Sequence, residues 1–137
     1  MKIKLFDRKA KMPSKSHSSD AGYDMYLPHG FMIEPNETLV IGLGVGFEIP
    51  EGFAGIFVPR SSIAKKGLII QTSLIDPGYK GETHLIITNS SRNIYSFEKG
   101  DRVCSIIFVN LLNTQFEIVE EFENSDRGES GLGSTGK

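Results

Sequence analysis

Glycine and proline break this chain every few residues. Fifteen glycines and six prolines in 137 residues leave no room for long helices. The runs between them are short and rich in β-branched and aromatic side chains, which fit a pleated, half-buried surface. The expected strands are Lys2–Phe6, Tyr23–Tyr26, Thr38–Ile41, Val45–Ile49, Gly55–Val58, Leu68–Gln71, Thr83–Thr88, Val103–Val109 and Phe116–Val119. Many short strands with regular turn signals specify an all-β sandwich or barrel. Helical periodicity is confined to a turn or two after Ser62, through Ile63-Ala64-Lys65-Lys66, which Gly67 stops.

A chain of this length forms one domain with a real core. Its net charge of −2 argues against nucleic-acid binding by bulk charge. No apolar run approaches the roughly 18 residues a membrane helix requires. The segment Met1–Asp7 lacks the apolar core of a signal peptide. The lone Cys104 sits among apolar neighbours, without a disulfide partner or a second thiol for zinc. These features suit a cytoplasmic protein. From Asn124 the composition turns polar and glycine-rich, so residues 1–123 read as the body and 124–137 as a flexible arm.

Five segments carry possible chemistry. The arm, Arg127 to Lys137, offers unobstructed backbone amides, the hydroxyls of Ser134 and Thr135 and cations at both ends; such a backbone curls around an anion or simply frays. In Pro59-Arg60-Ser61-Ser62, a short helix start, a hydroxyl and an arginine make a phosphate seat, or else Ser61 or Ser62 is an ordinary N-cap. Asp76-Pro77-Gly78 is a tight turn. Its aspartate either bonds its own backbone or, as a lone carboxylate at a strand end, takes a proton from water. Tyr79 then packs, or lays its ring on a flat ligand. In Asp20–Tyr26, Asp24 is a strand-end carboxylate or holds a metal through water. In Lys99–Ser105, Asp101 and Arg102 are expected to pair. His17, His29 and His84 lack metal-ligand spacing.

Taken in order, these segments resemble the five motifs of the homotrimeric dUTP pyrophosphatase (dUTPase) family. The matches are Ala21-Gly-Tyr-Asp24, Pro59-Arg-Ser-Ser62, Ile75-Asp76 with Tyr79 and Gly81, Gly100-Asp-Arg102, and Arg127-Gly128 with Gly133-Ser-Thr-Gly136. The resemblance implies a distorted jelly-roll or β-clip fold and a homotrimer with active sites at subunit interfaces. It implies hydrolysis of dUTP to dUMP and pyrophosphate with Mg²⁺, which limits uracil entry into DNA and supplies dUMP for dTMP synthesis. On the same resemblance, Asp76 activates water against the α-phosphorus, and Tyr79 packs under deoxyribose and excludes a 2′-hydroxyl. Arg60, Ser61 and Ser62 hold phosphates, and Asp24 touches the metal through water. Ser73, Ile75, Lys80 and Ser105 complete the substrate contacts. The arm closes over the nucleotide through Arg127, Leu132, Gly133, Ser134 and Thr135. No nucleic-acid or membrane partner is implied.

Three positions depart from that pattern. Leu132 replaces an aromatic residue that stacks on uracil, Ser105 replaces a glutamine, and Ser73 replaces a glycine in the hairpin that reads the base. Two other readings share the scaffold. A dCTP deaminase needs a glutamate on the strand after the turn, where this chain has the aliphatic Ile86. A non-catalytic nucleotide-binding regulator would have no use for Asp76, Tyr79 and Arg127 together.

Overall fold

A computed structural model of the chain describes residues 1–123. Eleven strands and one short helix follow in the order β1 (Lys2–Leu5), β2 (Tyr23–Tyr26), β3 (Phe31–Ile33), β4 (Thr38–Gly42), β5 (Val45–Glu48), β6 (Phe53–Pro59), α1 (Ser61–Ala64), β7 (Leu68–Ile70), β8 (Leu74–Ile75), β9 (His84–Asn89), β10 (Tyr95–Phe97) and β11 (Arg102–Asn110). All the pairings are antiparallel. The sheets run β2-β11-β6-β8, β4-β9-β7, β1-β5 and β10-β3. This is the expected all-β fold of jelly-roll, or β-clip, type. No helix among the described residues is long and apolar enough to cross a membrane.

Alternation builds the core. In β9, Leu85, Ile87 and Asn89 are buried while the residues between them face outward, as the two-residue period of a strand requires. Leu85 and Ile87 meet Met25, Leu27, Ile33, Val103, Cys104 and Ile106 in one apolar cluster. The outer face of the β4-β9-β7 sheet is not polar throughout. Val40 and Ile69 lie exposed on it, and Val40 stands opposite Ile86.

Three expectations need correction. Phe116–Val119 forms no strand; Phe116 is 95% and Ile118 100% exposed. Its alternation is strand-like, but a strand exists only against a neighbour, and no described segment of this chain pairs with it. Ser61 and Ser62 do not cap α1. Arg60 holds the cap position in extended backbone, without a side-chain cap bond. Asp101 and Arg102 do not pair: the Asp101 carboxylate accepts the Glu98 amide at 2.8 Å, a local turn bond that competes with any ion pair. Cys104 is buried, as its neighbours imply.

Asn89 and Thr83 are the two polar residues buried among the described residues, and Asn89 is fully out of solvent. It donates to the carbonyls of Ile33 (3.3 Å) and Asn93 (2.7 Å) and accepts from the amide (3.0 Å) and hydroxyl (2.8 Å) of Ser91. It thereby ties β3 to the loop after β9. Asn89→Ala strands buried backbone groups, at about 1–3 kcal/mol for each one left unsatisfied. Thermal or urea unfolding should show the corresponding loss; an unchanged midpoint would mean water replaces the amide.

Candidate active site

Two polar clusters contain most of the described residues singled out as site candidates from the sequence. The first is built around Asp24 on β2. Ser105 on β11 stands directly opposite and donates its hydroxyl to Asp24 Oδ1 at 3.0 Å. Arg60 Nε reaches the same oxygen at 3.2 Å, and Arg102 Nη1 reaches Oδ2 at 2.9 Å. The Arg102 contact depends on a β-bulge. Pairing with β2 slips between Arg102 and Cys104, so Arg102 rather than Val103 faces Tyr26. A bulge inserts one residue and re-aims its neighbours. Here it buries Val103 fully and brings Arg102 to the side of the sheet that carries Asp24. Arg60 also donates to the Arg102 carbonyl at 3.3 Å.

The Asp24 side chain is only 13% exposed, so the attraction is weakly screened, and the three donors compensate its desolvation. A carboxylate has about four acceptor sites. Among the described residues three are taken, and the remaining one lies on Oδ2. That leaves room for a metal-bound water, but not for a direct metal cage. Among the described residues no three His, Cys, Asp or Glu side chains converge on a cation site. Ser61 and Ser62 are exposed beside Arg60, and their amides belong to the first helical turn, where backbone donors have no intrahelical partner.

The second cluster surrounds Asp76, just past β8. The turn forms as expected, with the Tyr79 amide donating to the Asp76 carbonyl at 3.1 Å. The carboxylate does not bond its own turn. Among the described residues it has no hydrogen-bond or ion-pair partner, and it is exposed. It borders a concavity of about 280 Å³ whose walls include Ser73, Ile75, Tyr79, His84 and Ile86. The Tyr79 hydroxyl donates to the Glu82 carbonyl at 2.6 Å, which fixes the ring. Lys80 points elsewhere: its ammonium lies 3.5 Å from Glu48, in a groove shared with Lys2. Glu82 and His84 also line the pocket, and neither carries a motif or spacing that would mark it in the sequence.

Strand β6 relates the two clusters. Its Gly55 pairs with Ile75, which sets Asp76 beside Ala54, whereas Arg60 follows the opposite end of the strand. At ~3.3 Å per residue the clusters stand roughly 20 Å apart along the strand. Arg127, Leu132, Gly133, Ser134 and Thr135 lie outside the described residues.

The Cys104 thiol, under Asp24, is pushed up to about 12, by burial first and by the Asp24 charge second. Thiolate is the reactive form. A maleimide or disulfide reagent at pH 8 should therefore leave the folded protein unlabelled and label it stoichiometrically in denaturant. Rapid labelling of the native state would contradict the burial.

A sequence model of the family described as dUTPase matches residues 8–136. A deoxyuridine 5'-triphosphate nucleotidohydrolase of Clostridium tetani is 34% identical, over all of this chain and 97% of its own length. One from Monkeypox virus is 31% identical, over 93% of this chain and 85% of its own. Among solved structures, the dUTPase of Staphylococcus bacteriophage 80alpha with dUPNHPP superimposes with a TM-score of 0.92. It is 33% identical and covers 99% of this chain and 98% of its own. A variant dUTPase from phage phi11 of S. aureus, described for its coordination of a structural Mg(II) ion, gives a TM-score of 0.84 at 29% identity. It covers 90% of this chain and 98% of its own.

Proposed function

The chain belongs to the dUTPase family, and on that premise we propose that it hydrolyses dUTP to dUMP and pyrophosphate. The observation that carries the mechanism is the Asp76 carboxylate: exposed, unpaired among the described residues, and held at a strand end above a pocket of nucleoside size. In this reading Asp76 takes a proton from water. The water oxygen bonds to the α-phosphorus, and the bond to the bridging oxygen breaks. Pyrophosphate leaves with that oxygen. Phosphoryl transfer of this kind asks the protein for placement and charge stabilisation more than for covalent chemistry. Tyr79 supplies the face against which deoxyribose packs, and Ser73 and Ile75 line the base end. Where a deaminase would need a glutamate, the pocket has Ile86, an aliphatic side chain that moves no proton.

Arg60 and Arg102 supply the positive charge that a triphosphate needs, with Ser61 and Ser62 as further donors. Asp24 orients both guanidiniums and retains one acceptor site for a water on Mg²⁺. When bound, Mg²⁺ neutralises phosphate charge. Ser105 contributes to the Asp24 cluster. The arm residues Arg127, Leu132, Gly133, Ser134 and Thr135 add anion and base contacts in the same reading, and residues 124–137 act as a lid on the body.

Two clusters roughly 20 Å apart along one strand do not enclose one triphosphate. A second copy brings the Arg60 end of one chain to the Asp76 end of another, as in a homotrimer with interfacial sites. The exposed apolar side chains Leu112, Phe116, Ile118 and Phe122 support such an assembly. So do Val40 and Ile69 on the outer sheet face, and an apolar groove of about 330 Å³ between Ile3, Met12, Tyr23, Phe47 and Phe108. Large apolar side chains exposed in groups of this kind suit an interface between copies.

Pyrophosphate release with Mg²⁺ should occur from dUTP and not from dCTP, dTTP or UTP. Ammonia from dCTP would support a deaminase, and silence across the panel a regulator. Asp76→Asn should bind nucleotide with turnover lower by about 10²–10⁴-fold, the usual worth of a general base. Unchanged turnover would remove Asp76 from the mechanism.

A further inference from the structure

The pocket has a polar wall whose purpose the reaction itself does not explain. Glu82 lies just past the turn that carries Asp76 and Tyr79, and it is half-buried. Its Oε1 accepts the Gly44 amide at 2.7 Å. That amide belongs to the corner between β4 and β5, where Gly44 has φ of +68°, a conformation glycine adopts without strain. The carboxylate occupies space that any side chain at position 42 would need. A methyl carbon on Gly42 would lie 2.5 Å from Glu82 Oε1. The backbone carbonyl of Glu82 accepts the Tyr79 hydroxyl at 2.6 Å. Gly81 completes the packing, since a methyl carbon there would lie 2.5 Å from the Tyr79 hydroxyl oxygen. Next along the chain, Thr83 binds the Val45 carbonyl through both its amide and its hydroxyl, each at 2.8 Å.

The geometry assigns Glu82 as a positioning residue: its carboxylate anchors the Asp76–Glu82 turn to the β4-β5 corner, and its carbonyl sets the ring plane of Tyr79. This rests on the dUTPase reading of the Asp76 pocket. Glu82 touches no reacting atom in it. It acts by removing freedom from a short loop that Pro77 alone cannot hold, and small misplacements of reacting groups are costly to rate. A glutamine at this position can still accept from the Gly44 amide through its carbonyl oxygen. An alanine cannot.

The test compares wild type, Glu82→Ala, Glu82→Gln and Gly42→Ala by kcat and KM on dUTP and UTP, with amide exchange on the Gly44 and Tyr79 amides. Glu82→Ala keeps the carbonyl that holds Tyr79 but unties the turn from the Gly44 amide, so it should lose kcat by about 10²-fold and narrow the preference for dUTP over UTP as the turn and its tyrosine shift together. Gly42→Ala, which evicts the carboxylate without removing it, should shift both in the same direction. Glu82→Gln should restore both toward wild type. The Gly44 and Tyr79 amides should exchange faster in Glu82→Ala and not in Glu82→Gln. A purely structural role would lower the melting temperature and leave the dUTP-to-UTP ratio and the kcat of the folded fraction unchanged; that outcome overturns the assignment. Wild-type turnover of dUTP reports on the parent reading independently. Equal exchange in all variants overturns the positioning role whatever the activity.

Discussion

Strand β6 keeps the two polar clusters apart by its own length. An extended backbone cannot shorten, and β6 is locked between β11 on one side and β8 on the other. Arg60 is therefore held at one end and Asp76 beside the other. Each cluster is well made in itself. Asp24 gathers two arginines and a serine through contacts of 2.9–3.2 Å, and Asp76, without a side-chain partner among the described residues, stands above a pocket whose tyrosine is bonded in place. Neither cluster alone supplies both the proton acceptor and the cations that hydrolysis of a triphosphate needs. The proposed assembly of copies follows from this separation, and the exposed apolar segment 112–122 is the surface such an assembly would cover.

The Asp24 cluster shows how a charge can serve by holding other charges. Two guanidiniums close together repel unless something negative lies between them. Asp24 sits largely out of solvent, where that attraction is weakly screened. Ser105 adds a hydroxyl bond to the same carboxylate at 3.0 Å. Because Ser105 stands opposite Asp24 in the register, its hydroxyl adds a side-chain link between β2 and β11.

Much of this was legible in the sequence, and the failures have physical causes. The β-branched runs and their glycine and proline boundaries located most strands, because a core-facing strand must alternate. β3, β8 and β10, of two or three residues each, are too short to show alternation and exist only because longer neighbours pair with them. Phe116–Val119 has the pattern of a strand without a partner in the described chain. Asp76-Pro77-Gly78 was readable as a turn, since proline and glycine fix its dihedrals locally. The partner of Arg102 was not readable. Asp24 lies far away in sequence, and a single inserted residue in β11 decides which side chain faces it. Glu82 was invisible for the same reason: its partner is an amide on another corner of the fold.

The central claim is that one chain's carboxylate works with another chain's arginine, and mixing two disabled proteins tests it most directly. Asp76→Asn and Arg60→Ala, each inactive alone, would be denatured together, refolded and assayed for dUTP hydrolysis. Shared sites predict recovery to roughly a quarter of wild-type activity for random mixing in a closed ring. A mixture no more active than the sum of its parts would show that each site is built within a single chain.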